Sequence, residues 1–222
     1  MKSETRKKAD QWRILIVDDH PMIREGLTMR IKRETDITVC GEAGTAAEAL
    51  RLAVSLQPDL AVVDITLPDK NGLDLIKDIR AVSPETRILA LSMHDESIYA
   101  ERVLRAGGRG YIMKQEGGKR IMEAIRTILN GRVYASNAVS EKILNIFAGR
   151  SAKLEESPVS RLSDREFEVF QMIGKGKSTR QMAAALNLSV KTIEVHRLHI
   201  KEKLGITTVP ELVSFAARWL EN

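Results

Sequence analysis

The sequence predicts an α/β fold, a five-stranded doubly wound parallel sheet, joined to a second, all-α domain. Three observations predict it. Five short apolar runs alternate with five helix-like stripes between Ile14 and Leu129, and strands alternating with helices pair in parallel beneath helices on both faces. A polar stretch rich in Gly, Ser, Lys and Glu, from Ala148 to Ser160 with Pro158, then interrupts the pattern. Beyond it the strand pattern stops and helix-capping boxes recur.

The elements follow in order. Ile14 to Val17 is a strand ending at Asp18-Asp19, and Pro21 opens a helix through Ile23, Leu27 and Ile31. Thr38 to Cys40 is the second strand, and Ala46 to Leu56, rich in Ala and Leu, is a helix. Leu60 to Val63 is a buried strand that delivers Asp64 to the carboxyl edge of the sheet, where Pro68, Asp69, Asn71 and Gly72 break the pattern. Leu73, Ile76 and Ile79 mark a helix, and Arg87 to Leu91 a strand ending at Ser92. Ile98 to Ala106 is helical up to Gly107-Gly108. Tyr111 to Lys114 is a short strand, and Ile121 to Leu129 a helix stopped by Gly131. Residues 131–159 read as a linker holding one helix, Asn137 to Phe147.

From Ser160 the chain reads as four helices. Ser163 with Glu166 and Ser178 with Gln181 open two of them. Asn187-Leu188 turns, Ser189 caps a third that runs to about Leu204, and Thr208 with Glu211 opens the last, with Pro210 in its first turn. Short helices joined by a tight turn suggest a helix-turn-helix.

Charge separates the halves. Residues 9–130 hold 17 Lys and Arg against 19 Asp and Glu, a net of −2, whereas residues 158–222 hold 10 against 7, a net of +3. The basic second half suggests nucleic acid. Cys40 is the only cysteine, so no intrachain disulfide forms, and it reads as a small core residue. The charged start is no signal peptide, and no apolar run approaches the roughly 18 residues of a membrane span. The expected location is the cytoplasm, with no membrane partner.

In a doubly wound sheet the ends carrying Asp18-Asp19, Asp64, Ser92 and Lys114 share one edge, where open α/β sheets bind ligands. Carboxylates gathered there repel unless a cation sits among them, and hard oxygen ligands suit Mg2+. The chemistry that fits is phosphoryl transfer to Asp64, with Lys114 neutralising phosphoryl oxygens and the Ser92 hydroxyl bonding one of them. Plainer roles stay open: Asp18-Asp19 and Ser92 as helix caps, Lys114 as a solvated charge, Tyr111 as core, His20 and His94 as loop residues.

These stretches, Ile16-Val17-Asp18-Asp19-His20, Val63 to Pro68, Ser92-Met93-His94 and Gly110 to Lys114, resemble the receiver domain of two-component response regulators over residues 12–130. The resemblance implies a flavodoxin-like sheet and a phosphoacceptor at Asp64, served by a sensor histidine kinase. It implies Mg2+ held by Asp19, Asp64 and the Thr66 carbonyl, with Asp18 acting mostly through water, and Ser92 and Tyr111 as the switch pair. Gln115 follows Lys114 where many receivers carry Pro.

The third helix of the basic half has two faces. Ile193, Ile200 and Leu204 form a core stripe. The opposite face holds Lys191, Glu194, Val195, Leu198 and Glu202, and Val195 and Leu198 suit thymine methyl groups in a major groove. Lys191, Arg197 and Lys201 are expected to neutralise phosphates, with Ser178 and Thr192 also on the DNA-facing side. Glu194 either reads a base or pairs with Arg197 or Lys191. An ordinary amphipathic helix with a dimer contact is the plainer role. Leu162 to Glu166, Gly174 to Ser178, Ala183 to Leu186, Ser189 to Ile193, His196 and Lys203-Leu204-Gly205 resemble the LuxR-type helix-turn-helix of the NarL/FixJ class, matched over residues 160–218. It implies that the third helix enters the major groove and that the last, Glu211 to Leu220, makes a homodimer. Val209 stands where many members carry Arg.

The combined expectation is a transcriptional regulator that dimerises on paired half-sites of double-stranded DNA, the last domain spanning residues 160–222. It is not an enzyme beyond its own phosphoryl transfer and dephosphorylation. An aspartyl-phosphate phosphatase wants a second Asp where Thr66 stands, and a flavin carrier wants a Ser/Thr-rich loop where Asp18 to Pro21 stands. A regulator that binds DNA without phosphorylation is the remaining alternative.

Overall fold

All five apolar runs are strands: β1 (Trp12–Val17), β2 (Ile37–Ala43), β3 (Leu60–Asp64), β4 (Arg87–Ser92) and β5 (Gly110–Met113). The computed structural model describes residues 11–93, 96–136, 139–141 and 158–221. The chain divides into two units, 1–147 and 148–222.

In the first unit the strands are parallel and ordered β2-β1-β3-β4-β5. The winding therefore reverses between β1 and β3, and the crevice of such a sheet opens at their carboxyl ends. Ile14 to Val17, Leu60 to Val63 and Ile88 to Leu91 are fully buried, the pattern of strands covered on both faces. The helices are α1 (Pro21–Ile31), α2 (Ala46–Leu56), α3 (Gly72–Val82), α4 (Glu96–Arg105) and α5 (Gly117–Leu129). Leu27 and Ile31 of α1 and Ile121, Ile125 and Ile128 of α5 pack on Ile14, Ile16, Val62, Leu89 and Ile112.

Four details differ from the sequence reading. β2 continues to Ala43 because β1 keeps pairing with it past a register shift between Ile14 and Leu15. Cys40 lies on that edge strand, half-exposed, and not in the core. β5 stops at Met113, so Lys114 opens a short 3-10 turn (Lys114–Glu116) and does not end a strand. α5 starts at Gly117, four residues before its first buried isoleucine.

The segment after α5 stays on the first unit. The Tyr134 N–H donates to the Arg109 carbonyl at 2.9 Å and the residue bridges Gly110 of β5. The Ser136 N–H donates to Glu96 Oε1 of α4 at 3.0 Å, and Ser136 in turn caps a helical turn at Val139 to Glu141. The rest of the expected linker helix, and residues 142–157, lie outside the described residues. Glu96 thus ties α4 to the start of the connection between the units. A hydrogen bond to a charged acceptor contributes about 1.5–3 kcal/mol. Glu96→Ala is expected to raise amide hydrogen exchange at Ser136 and Val139 roughly tenfold or more. Unchanged exchange would show that the Tyr134 bridge alone holds the segment.

The second unit has a 3-10 turn (Pro158–Arg161) and helices α6 (Asp164–Gly174), α7 (Thr179–Ala185), α8 (Val190–Leu204) and α9 (Val209–Glu221). Reciprocal capping boxes open α6 (Ser163 with Glu166) and α7 (Ser178 with Gln181). At α9 the box is skewed: Thr208 caps Glu211, but the Glu211 carboxylate reaches back to Thr207. Phe167 and Phe170 of α6 meet Trp219 of α9 with ring centroids 5.5 Å apart, and Phe170 meets Phe215 at 5.9 Å. The helices approach closely there because Gly174 has no side chain; a Cβ on it would stand 2.6 Å from the Ala216 carbonyl oxygen. Ile193 and Ile200 of α8 are fully buried and Leu204 half so.

Candidate functional site

The carboxyl edge of the sheet gathers the expected residues of the first unit. Asp18 follows β1 and is buried, whereas Asp19 is exposed. Asp64 ends β3 and is 2% exposed. Lys114 Nζ stands 2.7 Å from Asp18 Oδ2 and 2.7 Å from Asp64 Oδ2. Asp64 Oδ1 accepts the Thr66 N–H at 3.1 Å, with Thr66 exposed in the loop beyond. Gly72 opens α3 directly against this strand end; a Cβ there would stand 2.3 Å from the Asp64 carbonyl oxygen. Ser92 is fully buried at the end of β4. Tyr111 is buried in β5, its ring stacked on Tyr99 of α4 with centroids 6.4 Å apart.

Burial pushes the Asp64 carboxyl above its ordinary range, and the bonds from Lys114 and Thr66 offset only part of this. Burial also opposes the Lys114 charge, but its bonds to Asp18 and Asp64 outweigh that and hold the amine above the usual lysine value. Ligand atoms of Asp18, Asp19, His20 and Asp64 lie within 4.8 Å of one another. Asp18 Oδ2 meets the lysine ammonium at 2.7 Å. Three carboxylates gather here, and Lys114 meets two of them, Asp18 and Asp64. Such a cluster of hard oxygen donors is typical of Mg2+ binding, and the residues present fit that ion.

Three neighbours were not legible as site residues. The His20 N–H donates to Asp18 Oδ1 at 2.9 Å, and its Nδ1 lies 3.1 Å from the same oxygen and 2.6 Å from Asp19 Oδ1. Arg24 Nη1 donates to the Asp18 carbonyl at 2.6 Å, clamping the backbone of the acidic pair. Asp69 accepts the N–H groups of Ala46 and Ala47, so the loop after Asp64 is tethered to the start of α2. Pro21, at the first position of α1, was the one local signal that the residues before it are held at a helix start.

In the second unit α8 presents its exposed face as expected: Lys191, Glu194, Val195 and Leu198 are all exposed, the last two at 43% and 49%. Thr192 is half-buried, its hydroxyl 2.8 Å from that of Ser189. Ser178 caps α7 through Gln181. Two basic residues are engaged within the unit. Arg197 Nη1 donates to Thr179 Oγ1 of α7 at 2.9 Å, and Lys201 Nζ to the Thr207 carbonyl at 3.4 Å. Glu166 is buried beneath α8; burial raises its carboxyl, but Lys203 at 2.6 Å and the Ser163 N–H outweigh that and hold it below the ordinary value. No helix among the described residues is long and apolar enough to cross a membrane.

Comparison with known proteins extends this picture. Residues 14–126 match the response regulator receiver domain family, and residues 160–216 match the luxR family of bacterial regulatory proteins. The oxygen regulatory protein NreC of Staphylococcus carnosus is 34% identical over 210 residues, covering 93% of this chain and 97% of that protein. Among solved structures, a LuxR-family two-component response regulator from an Aurantimonas species is 36% identical over 63% of this chain and 99% of its own, with a TM-score of 0.57. RcsB of Salmonella enterica serovar Typhimurium, solved bound to a promoter in the presence of the phosphomimetic BeF3−, is 26% identical. That match covers 94% of this chain and all (100%) of the other, with a TM-score of 0.66. A receiver at one end, a LuxR-type helix-turn-helix at the other, and relatives matched along nearly their whole length place the chain among the two-component response regulators of the NarL/FixJ class.

Proposed function

We propose that this regulator is switched by phosphorylation of Asp64 by a sensor histidine kinase, in the cytoplasm, and then binds paired DNA half-sites as a homodimer. The observation that carries the reading is the convergence of Asp18, Asp64 and Lys114, with the lysine 2.7 Å from each carboxylate at the crevice of the sheet. Asp19, Asp64 and the Thr66 carbonyl are the groups that would hold Mg2+, with Asp18 acting through water. When bound, the ion supplies positive charge for the phosphoryl oxygens. Asp64 offers a carboxylate oxygen as nucleophile, and Lys114 holds that carboxylate in place and carries charge for the product. Ser92, buried at the end of the neighbouring strand β4, offers a hydroxyl.

The same edge supports a route outward. Ser92 ends β4, Tyr111 stacks on Tyr99 of α4, and Glu96 of α4 holds Ser136. A change at Ser92 and Tyr111 therefore reaches α4 and, through Glu96, the connection to the second unit. We divide the chain into a receiver (12–130), a linker (131–159) and a DNA-binding domain (160–222).

In that domain Lys191, with Ser178 and Thr192 near the start of their helices, meets phosphates; Arg197 and Lys201 add charge while holding α8 to its neighbours. Lys175, Lys177 and Arg180, all exposed around the turn before α7, extend the positive surface. For the homodimer, Val209 and Val213 of α9 lie one turn apart and exposed, on a helix whose Leu212 and Ala216 are buried and whose Ala216 lies against Gly174 of α6.

The test is DNA binding by the full chain with and without acetyl phosphate and Mg2+, with mass in solution followed by light scattering. The phosphodonor is expected to shift the chain toward dimer and tighten binding, and affinity should fall steeply with salt. Binding that ignores the phosphodonor would establish the phosphorylation-independent alternative.

A further inference from the structure

The exposed face of α8 carries one residue that a polyanion should repel. Glu194 is exposed between Lys191 and Leu198, beside Val195. A carboxylate near phosphates is unfavourable, so its presence there needs a compensating interaction. Two local ones are open to it, and the structure removes both. The first is an intrahelical ion pair. Arg197, three residues on, is turned to Thr179 Oγ1 at 2.9 Å. Among the described residues no ion pair joins Glu194 to Lys191, although both side chains are exposed on one helix. The second is the positive end of the helix. That field fades within the first turn, whereas Glu194 is the fifth residue of α8. One of the free N–H groups at that end already has an acceptor, since Ser189 Oγ takes the Thr192 N–H at 3.0 Å.

On the inner face Ile193 and Ile200 are fully buried, and the buried charge there, Glu166, is already met by Lys203 at 2.6 Å. What remains is a partner outside the chain, and the neighbours describe it. Val195 and Leu198 are apolar, exposed and adjacent, which suits contact with thymine methyl groups. A carboxylate can only accept hydrogen bonds. In the major groove the donors are the cytosine N4 and adenine N6 amino groups. Adenine sets its N7 acceptor beside the amino group, which repels a carboxylate; cytosine does not.

We propose that Glu194 is a specificity-determining residue of the DNA-binding unit, its carboxylate accepting a hydrogen bond from the N4 amino group of a cytosine in each half-site. The proposal rests on the DNA-binding reading above. It assigns Val195 and Leu198 to flanking thymine methyls, and Arg197 to holding α8 on α7 where a phosphate contact was expected of it.

The test is selection from a random-sequence duplex library by the full-length chain with Mg2+ and acetyl phosphate, followed by sequencing of bound DNA. It is repeated with Glu194→Ala and Glu194→Gln. Because the side chain is exposed, both variants are expected to keep the wild-type far-ultraviolet circular dichroism. Wild type should enrich one cytosine per half-site, with discrimination of roughly 5- to 150-fold over other bases there. Glu194→Ala should lose preference at that position alone, with non-specific binding equal or tighter. Glu194→Gln should shift it toward adenine, whose N6 and N7 suit an amide. If all three proteins enrich one motif with equal preference at every position, Glu194 reads no base and the DNA-binding reading stands. If wild type retains no DNA from the library even at low salt, the DNA-binding reading falls and this proposal with it.

Discussion

Full-length chain incubated with Mg2+ and acetyl phosphate is expected to gain the mass of one phosphoryl group, and Asp64→Asn none. The argument starts from the geometry of one side chain. Asp64 Oδ2 is held by Lys114 at 2.7 Å and Oδ1 by the Thr66 N–H at 3.1 Å, so the carboxylate is fixed at the end of β3, at the crevice between β1 and β3. One of its oxygens forms a bond to phosphorus, the bond from phosphorus to the acetyl oxygen breaks, and acetate leaves with the electron pair. The proton balance is unchanged, and Lys114 keeps its charge beside the new acyl phosphate. Asparagine has the same shape and can still accept the Thr66 bond through its oxygen, so the fold should survive. Its neutral amide is not a competent nucleophile. Removing a nucleophile that acts within a catalytic unit costs many orders of magnitude in rate, up to about 10⁶ in a well-studied protease. Labelling of Asp64→Asn should therefore be undetectable on the timescale that labels wild type. Equal labelling of the two proteins, or label on a peptide that excludes residue 64, would remove Asp64 from the role.

The acidic edge of the sheet was legible in the sequence because its signals are local. A run of buried aliphatics ending in a carboxylate shows where a strand ends, and a parallel sheet places every such end on one edge. Asp18, Asp64, Ser92 and Lys114 follow from that rule alone, even though Lys114 lies in a 3-10 turn one residue past β5. Caps were legible for the same reason: Ser163 with Glu166 and Ser178 with Gln181 are three residues apart. The unread contacts bring together groups whose pairing only the tertiary fold decides. Asp69 meets Ala46 and Ala47 across 22 or 23 positions, Glu96 meets Ser136 across 40, and Arg197 meets Thr179 across 18. No periodicity encodes such a pair, because one surface Asp or Arg has many partners within reach until the backbone is in place. Arg197 shows the consequence. The sequence offered it only as a charge for phosphates, and the fold also gives it a hydrogen bond to Thr179 of α7.

Lys114→Met is expected to give the largest loss of stability, one that Mg2+ partly restores. The Lys114 side chain is 4% exposed, those of Asp18 and Asp64 1% and 3%, so water does little to separate the charges. Removing one partner of a buried ion pair typically costs ~3–5 kcal/mol, since the other charge remains buried without compensation. Here two carboxylates remain. The cost should fall toward the lower end, because burial already raises the Asp64 carboxyl and it can take up a proton. A loss of ~3 kcal/mol moves the melting midpoint of a chain this size by roughly 10 °C. The chain has two tryptophans, Trp12 in the first unit and Trp219 in the second, so a Trp219→Phe background lets Trp12 fluorescence report on the receiver alone. In chelator the Lys114→Met receiver should melt well below its Lys114 counterpart. Adding Mg2+ should raise the midpoint of both, and that of the variant by more, because the ion then meets carboxylates with no competing ammonium. If the two melt within about 2 °C of each other in chelator, the ammonium is not what allows Asp18 and Asp64 to stand together. If Mg2+ raises both midpoints equally, the lysine and the ion do not share the same carboxylates.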